Sequence, residues 1–175
     1  MSEAKYNVLF LGSGNSARSI MAEAILNREG GERFRAYSAG IQANAELDRH
    51  AIDLLSRLNF DTAGARPKDW SELTADGGPT FDFIFTVCDN ATMLPRSTWQ
   101  GRPIFAHWGI ADPAKTQGNV AQIRLAYADA FRMLSNRILI LVNLPLRSLD
   151  LLSMQRELDL AGNADAAAQQ AVAAA

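Results

Sequence analysis

The chain has 175 residues, 48% hydrophobic and 21% charged, with 17 Lys and Arg against 19 Asp and Glu for a net charge of −2. That is enough apolar material for one compact domain and excludes a disordered chain. The charge balance argues against a nucleic-acid-binding or anionic-membrane-binding protein, while leaving room for a local basic patch around an anion. The single cysteine, Cys88, cannot form an internal disulfide; with no signal-peptide pattern at "MSEAKYN", the expected setting is cytoplasmic.

In chain order, "YNVLFL" is a short apolar run suited to a buried strand. From Ala17 the pattern turns helical, with Ile20, Met21, Ala24 and Ile25 on one face. "RFRAYSAG" predicts a second strand closed by Gly40. Leu47, Ala51, Leu54, Leu55 and Leu58 then recur at helical spacing, and "RPKDWSEL" predicts a short helix after Pro67. "FDFIFTV", aromatic and β-branched, predicts a central strand, and "RPIFAHW" a shorter one. After "DPAKTQGN", the residues Val120, Ile123, Tyr127, Phe131, Leu134, Ile138 and Leu141 mark a long helix ended by Pro145. A last helix is expected from a Ser148 cap through Leu160, with Gly162 as its stop. The most apolar run, "ILILVNLPL", is too short to span a bilayer.

This alternation predicts a single α/β domain over residues 1–162, a three-layer sandwich around a four-stranded parallel sheet. Residues 163–175 form an alanine-rich tail, either a frayed helical extension or a loose end. In such sheets the ligand crevice lies beyond the carboxyl ends of the strands, where Gly12–Ser19, Cys88 and His107–Asp112 all fall.

The stretch "NVLFLGSGNSARSIMAEA" carries the chemistry. Gly12 and Gly14 allow a sharp turn that aims several backbone N–H groups at one point, and the following helix adds its own free N–H groups. Arg18 supplies a planar, permanently charged fork, Asn15 tolerates a left-handed conformation, and Ser16 and Ser19 add hydroxyls. Such a loop suits a phosphate-sized anion. The string from Gly12 to Ala17 also matches G-x-G-x-x-A, the dinucleotide fingerprint, but "YSAG" offers no carboxylate for a ribose. No Gly-Lys-Ser/Thr follows, so a Walker loop is excluded. A ligand-free strand–helix turn is the remaining alternative.

With those residues read, the chain resembles the low-molecular-weight protein tyrosine phosphatases and the arsenate reductases of the same fold. "YSAG", "FTVCDNA", "HWGIADPA" and "LPLRSLDLLSMQREL" extend the resemblance over most of residues 5–161, towards bacterial arsenate-reductase-like members. The resemblance implies that the loop Gly12, Ser13, Gly14, Asn15, Ser16, Ala17, Arg18 and Ser19 binds the oxyanion. Arg18 would stabilise the transition state and Asp112 would act as the general acid. It implies arsenate or a phosphorylated substrate as partner and no required cofactor, with an external thiol reductant as a candidate by resemblance only. A potassium site at Asn15, Glu23, Ser38 and Asp69 is also implied.

The departures matter as much. The family nucleophile, a cysteine six residues before the arginine, falls on Gly12, which has no atom that could attack phosphorus or arsenic. Ser13 is one position off and lacks an adjacent histidine base. Cys88 matches the first relay cysteine of thioredoxin-coupled arsenate reductases, but the positions for its partner hold Pro95 and Arg96. The protein as written is therefore expected to bind an oxyanion without turning it over. A non-catalytic oxyanion-binding or regulatory protein is the alternative. Cys88 reads first as a small buried hydrophobe, His107 as a structural hydrogen-bonder, and at least one of Trp99 and Trp108 as core, the other being open to a place in the crevice wall. Neither histidine has metal-ligand spacing, and the acids at 46, 48 and 53 read as a solvated face.

Overall fold

Alternate residues of β1 (Tyr6–Gly12) enter two different cores: Val8 and Phe10 one, Leu9 and Leu11 the other. That period of two, apolar on both faces, is the mark of a central strand covered on both sides. The computed structural model describes residues 4–88 and 94–165, and the expected alternation is there. After β1 come α1 (Arg18–Glu29), β2 (Phe34–Gly40), α2 (Arg49–Arg57), α3 (Ser71–Thr74) and β3 (Phe83–Thr86). β4 (Ile104–His107), α4 (Val120–Asn143) and α5 (Leu151–Gly162) complete it.

The four strands are parallel in the order β2-β1-β3-β4, with Val8 opposite Ala36 on one side and Phe83 on the other. The chain leaves β1 to one side for β2 and crosses to the other for β3, so a crevice opens beyond the end of β1.

The larger core joins β1 and β3 to α1, α2, α4 and α5, with Phe85 stacked on Trp108 at 3.9 Å between ring centroids. The smaller core gathers Phe81, Ile84, Trp99 and Phe105, with Trp70 and Leu73 packed against it. The second outer layer is thus thin: "RPKDWSEL" forms only the one-turn α3.

Two more details differ from the sequence expectation. The last helix is capped by Asp150, not Ser148: the Asp150 carboxylate accepts from the Ser153 N–H. Asp is as good a cap as Ser, and only Asp150 directly precedes the first helical residue. Gly162 lies inside α5, and Asn163 caps it. In α4, Val120 is exposed, because the helix begins at a capping box of Asn119 and Gln122 before its buried stripe starts.

Beyond α5, Asp165 folds back onto the domain, 3.4 Å from Arg137 and 3.8 Å from Arg132. Among the described residues no helix is long and apolar enough to cross a membrane.

Candidate functional site: an oxyanion cup

The loop after β1 is turned inside out relative to an ordinary turn. Its carbonyls face the segment at 41–48, which takes them in order: Ile41 N–H donates to Gly12, Gln42 to Ser13, Asn44 to Gly14 and Asp48 to Ser16. With those carbonyls taken, the N–H groups of residues 13–17 find no acceptor among the described residues. Ala17, the residue before α1, offers no side-chain cap, so the first N–H groups of the helix and its positive dipole end lie beside the loop. Backbone N–H groups left free beside a helix N-terminus are chemically suited to an anion.

Asn15 sets the curvature. It is left-handed, with φ 52°, and 1% exposed. Its Nδ2 donates to Ser19 Oγ at 2.9 Å, and its Oδ1 accepts from the Lys68 N–H at 2.8 Å. Gly40, at the end of β2, presses on the loop from behind. A Cβ there would lie 3.0 Å from the carbonyl carbon of Gly14 and 3.1 Å from the Asn15 nitrogen. Glycine is needed at this position for close approach, a different reason from the strand-closing role expected of it.

Arg18 opens α1 and is 8% exposed. Its Nη1 donates to the Ile110 carbonyl at 2.8 Å, and its Nη2 lies 3.4 Å from Asp112 Oδ2. The other Asp112 oxygen accepts from the Ala114 N–H and caps the short turn Pro113–Lys115. One carboxylate oxygen is anchored, and the other faces the arginine.

The loop carrying Ile110 and Asp112 is fixed in turn by Arg137 of α4. Arg137 is 3% exposed and donates to the carbonyls of Trp108 and Gly109 at 2.7 and 3.1 Å. Burial pulls the Arg137 pKa down from its usual value and Asp165 opposes this. Their 3.4 Å contact is an ion pair without good hydrogen-bond direction, since Asp165 Oδ2 and Arg137 Nε have no hydrogen-bond partner.

Gly12–Ser19 and Asp112, predicted from sequence, line one cavity of about 280 Å³ together with Asn44, Asp48 and Ala114. Of two larger cavities, one lies apart against α1 and α2, and the other adjoins this one, sharing Ser13, Gly14 and Asn44 and reaching Cys88. Sequence reasoning missed Asn44 and Asp48. Asp48, read as a solvated acid, caps α2, accepts from the Tyr127 hydroxyl at 2.7 Å and borders the cup. Burial, then the Asp48 carboxylate, push the Tyr127 phenol well above its ordinary pKa.

Other residues stand outside the cup. Cys88 is buried, His107 Nδ1 pairs with the Thr86 hydroxyl at 2.7 Å, and Trp99 and Trp108 are core residues. The motif portion at 89–91 lies outside the described residues. No group of three or more metal-ligating side chains occurs among the described residues.

The chain matches the family described as low molecular weight phosphotyrosine protein phosphatase over residues 7–139. It belongs to this family. Within it, the chain is 34% identical over 119 residues to an arsenate reductase of Oceanobacillus iheyensis, covering 66% of this chain and 79% of that protein. An arsenate reductase of Bacillus subtilis is 30% identical over 115 residues, 63% of this chain and 76% of its own length. Among solved structures, the Archaeoglobus fulgidus arsenate reductase superposes with TM-score 0.58 at 28% identity, over 75% of this chain and 98% of its own. Vibrio vulnificus Wzb, solved with benzylphosphonate, superposes with TM-score 0.60 at 18% identity, over 79% of this chain and 98% of its own, a likeness of fold.

Proposed function

We propose that this family member binds a phosphate-like oxyanion, arsenate or phosphate, in the cup at 12–19 and does not itself turn it over. The observation that supports the proposal is the company Gly12 keeps in one cavity. The N–H groups of residues 13–17 have no acceptor among the described residues, and the buried Arg18 lies 3.4 Å from the Asp112 carboxylate. No thiol lies among the residues that line the cavity. The relatives named arsenate reductase and the benzylphosphonate held by Wzb favour an arsenate- or phosphate-like ligand.

Such a protein needs no cofactor, and a thiol reductant would have no covalent intermediate to resolve. The nucleophile's absence also helps binding: a thiolate at the base would repel the incoming anion.

Calorimetric titration with phosphate, arsenate and sulfate tests the proposal. Binding that weakens about 10- to 100-fold in Arg18→Ala is the expected result, the effect of losing charge-assisted hydrogen bonds. No binding at millimolar anion, or affinity unchanged in Arg18→Ala, would overturn it.

A further inference from the structure

The residues expected to hold potassium have other hydrogen-bond partners. Asp69 Oδ1 accepts from the Ser71 N–H at 3.1 Å and hydroxyl at 2.8 Å. Asn15 Oδ1 is taken by the Lys68 N–H, and its Nδ2 by Ser19. Glu23 of α1 and Ser38 of β2 are hydrogen-bonded to each other. In their midst is a cation the chain brings itself. Lys68 Nζ lies 3.8 Å from Glu23 Oε2 and donates to the Arg66 carbonyl at 3.1 Å, its side chain 15% exposed.

We infer that the Lys68 ammonium takes the place of a bound monovalent cation behind the cup, so that the protein is independent of potassium. Two physical points carry this. A metal ion at Glu23 would face an ammonium a few ångströms away, and two cations sharing one carboxylate repel. Asn15 Oδ1, Asp69 Oδ1 and Glu23 Oε2 already accept hydrogen bonds, from Lys68, Ser71 and Ser38, which reduces the coordination capacity left for a metal.

Lys68 is placed to act on the cup as a positioning residue. Its own N–H holds the left-handed Asn15, and its carbonyl accepts from the Gly40 N–H at 2.7 Å. Its ammonium ties that same backbone to α1 through Glu23 and, through Glu23, to Ser38 of β2. One residue therefore joins three elements that shape the loop, and it neutralises a carboxylate on the helix that follows the cup. Left unneutralised, Glu23 would add negative charge near an anion site.

The inference rests on the oxyanion reading for one of its two readouts; the other, thermal stability, stands without it. The melting temperature and phosphate affinity are measured in KCl, NaCl and choline chloride at equal ionic strength. The wild-type protein should give the same values in all three salts. Lys68→Met should lower the melting temperature by about 2–4 °C and weaken phosphate binding about 3- to 10-fold. Lys68→Arg, which keeps the cation, should retain most of both. In a Glu23→Gln background, Lys68→Met should cost clearly less, because the charge it balanced is gone. Selective stabilisation of the wild-type protein by potassium over sodium would overturn the inference. So would a Lys68→Met protein indistinguishable from wild type, or an equal cost with and without Glu23. If the wild-type protein binds no phosphate, the oxyanion reading fails, while the melting temperatures and the double-mutant cycle still decide this one.

Discussion

Gly12→Cys would place a thiol in the proposed oxyanion cup, and its consequences follow from the surroundings of Gly12. Its φ lies outside the left-handed region, so a side chain is permitted. The new Cβ would sit 3.0 Å from Ser19 Oγ, 3.5 Å from Ser19 Cβ and 3.9 Å from the Asn15 nitrogen. Only the hydroxyl is tight, and it needs to give by a few tenths of an ångström. Losing a glycine from the unfolded chain stabilises by about 0.4–1 kcal/mol. That offsets the crowding, and the variant should fold with stability within about 1 kcal/mol of wild type. The thiol would then lie before an uncapped helix N-terminus and inside a ring of N–H donors, with Ser19 Oγ at hand. Those are the conditions that lower a cysteine pKa from about 8.5 to 7 or below. A drop of about 2 units corresponds to about 3 kcal/mol of thiolate stabilisation. Thiolate absorbance at 240 nm across a pH titration reads that value. Hydrolysis of p-nitrophenyl phosphate, and arsenate reduction with an added thiol, read the chemistry. The thiolate attacks phosphorus, the aryl oxygen leaves with the Asp112 proton, and water releases phosphate. A folded Gly12→Cys protein with an ordinary thiol pKa and no turnover would refute the reasoning, since the cup would then not be centred on that position.

Three other variants probe the frame of the site. Gly40→Ala forces a methyl against the loop backbone at 3.0–3.1 Å, where nothing flexible can yield. It should cost about 1–3 kcal/mol in denaturant unfolding and weaken phosphate binding as well. Asp165→Asn leaves the buried Arg137 without its counter-charge and should cost about 3 kcal/mol, read from chemical denaturation. Tyr127 gives a pH signature. Its pKa is raised in the fold, so the stability it adds is intact below the ordinary tyrosine value of about 10 and is lost as pH climbs beyond it. In absorbance at 295 nm, one of the three tyrosines should ionise only with alkaline unfolding, and that step should vanish in Tyr127→Phe.

The sheet and the cup were legible because each rests on local pattern. Strand and helix periods are written within single elements, and the loop at 12–19 is contiguous, so its glycines, Asn15 and Arg18 could be read together. The strand-end rule brought His107–Asp112 to the same crevice, and only the acid role of Asp112 came from the family resemblance. What stayed hidden depends on distant segments meeting. Asp48 looks like any surface acid until α2 is laid beside Tyr127 of α4. Gly40 looks like a strand stop until the loop is folded onto it. Arg137 sits in the apolar stripe of α4 and is explained only by the carbonyls of the β4–α4 connection and by Asp165. Lys68 was passed over between Pro67 and Asp69, since nothing local says that its ammonium turns towards α1. Ser148 was chosen as a cap on residue type alone, whereas the helix takes the acceptor nearest its first free N–H groups.

The proposed anion site is built on the backbone N–H groups of residues 13–17, which donate to no acceptor among the described residues. Two-dimensional 1H–15N spectra recorded while phosphate or arsenate is added test it residue by residue. The amides of Ser13, Gly14, Asn15, Ser16, Ala17, Arg18 and Ser19 should shift in concert and saturate, and in Arg18→Ala they should move far less. Shifts confined to another surface, such as the cavity lined by Arg28 and Phe60, or no shifts at millimolar anion, would contradict the account.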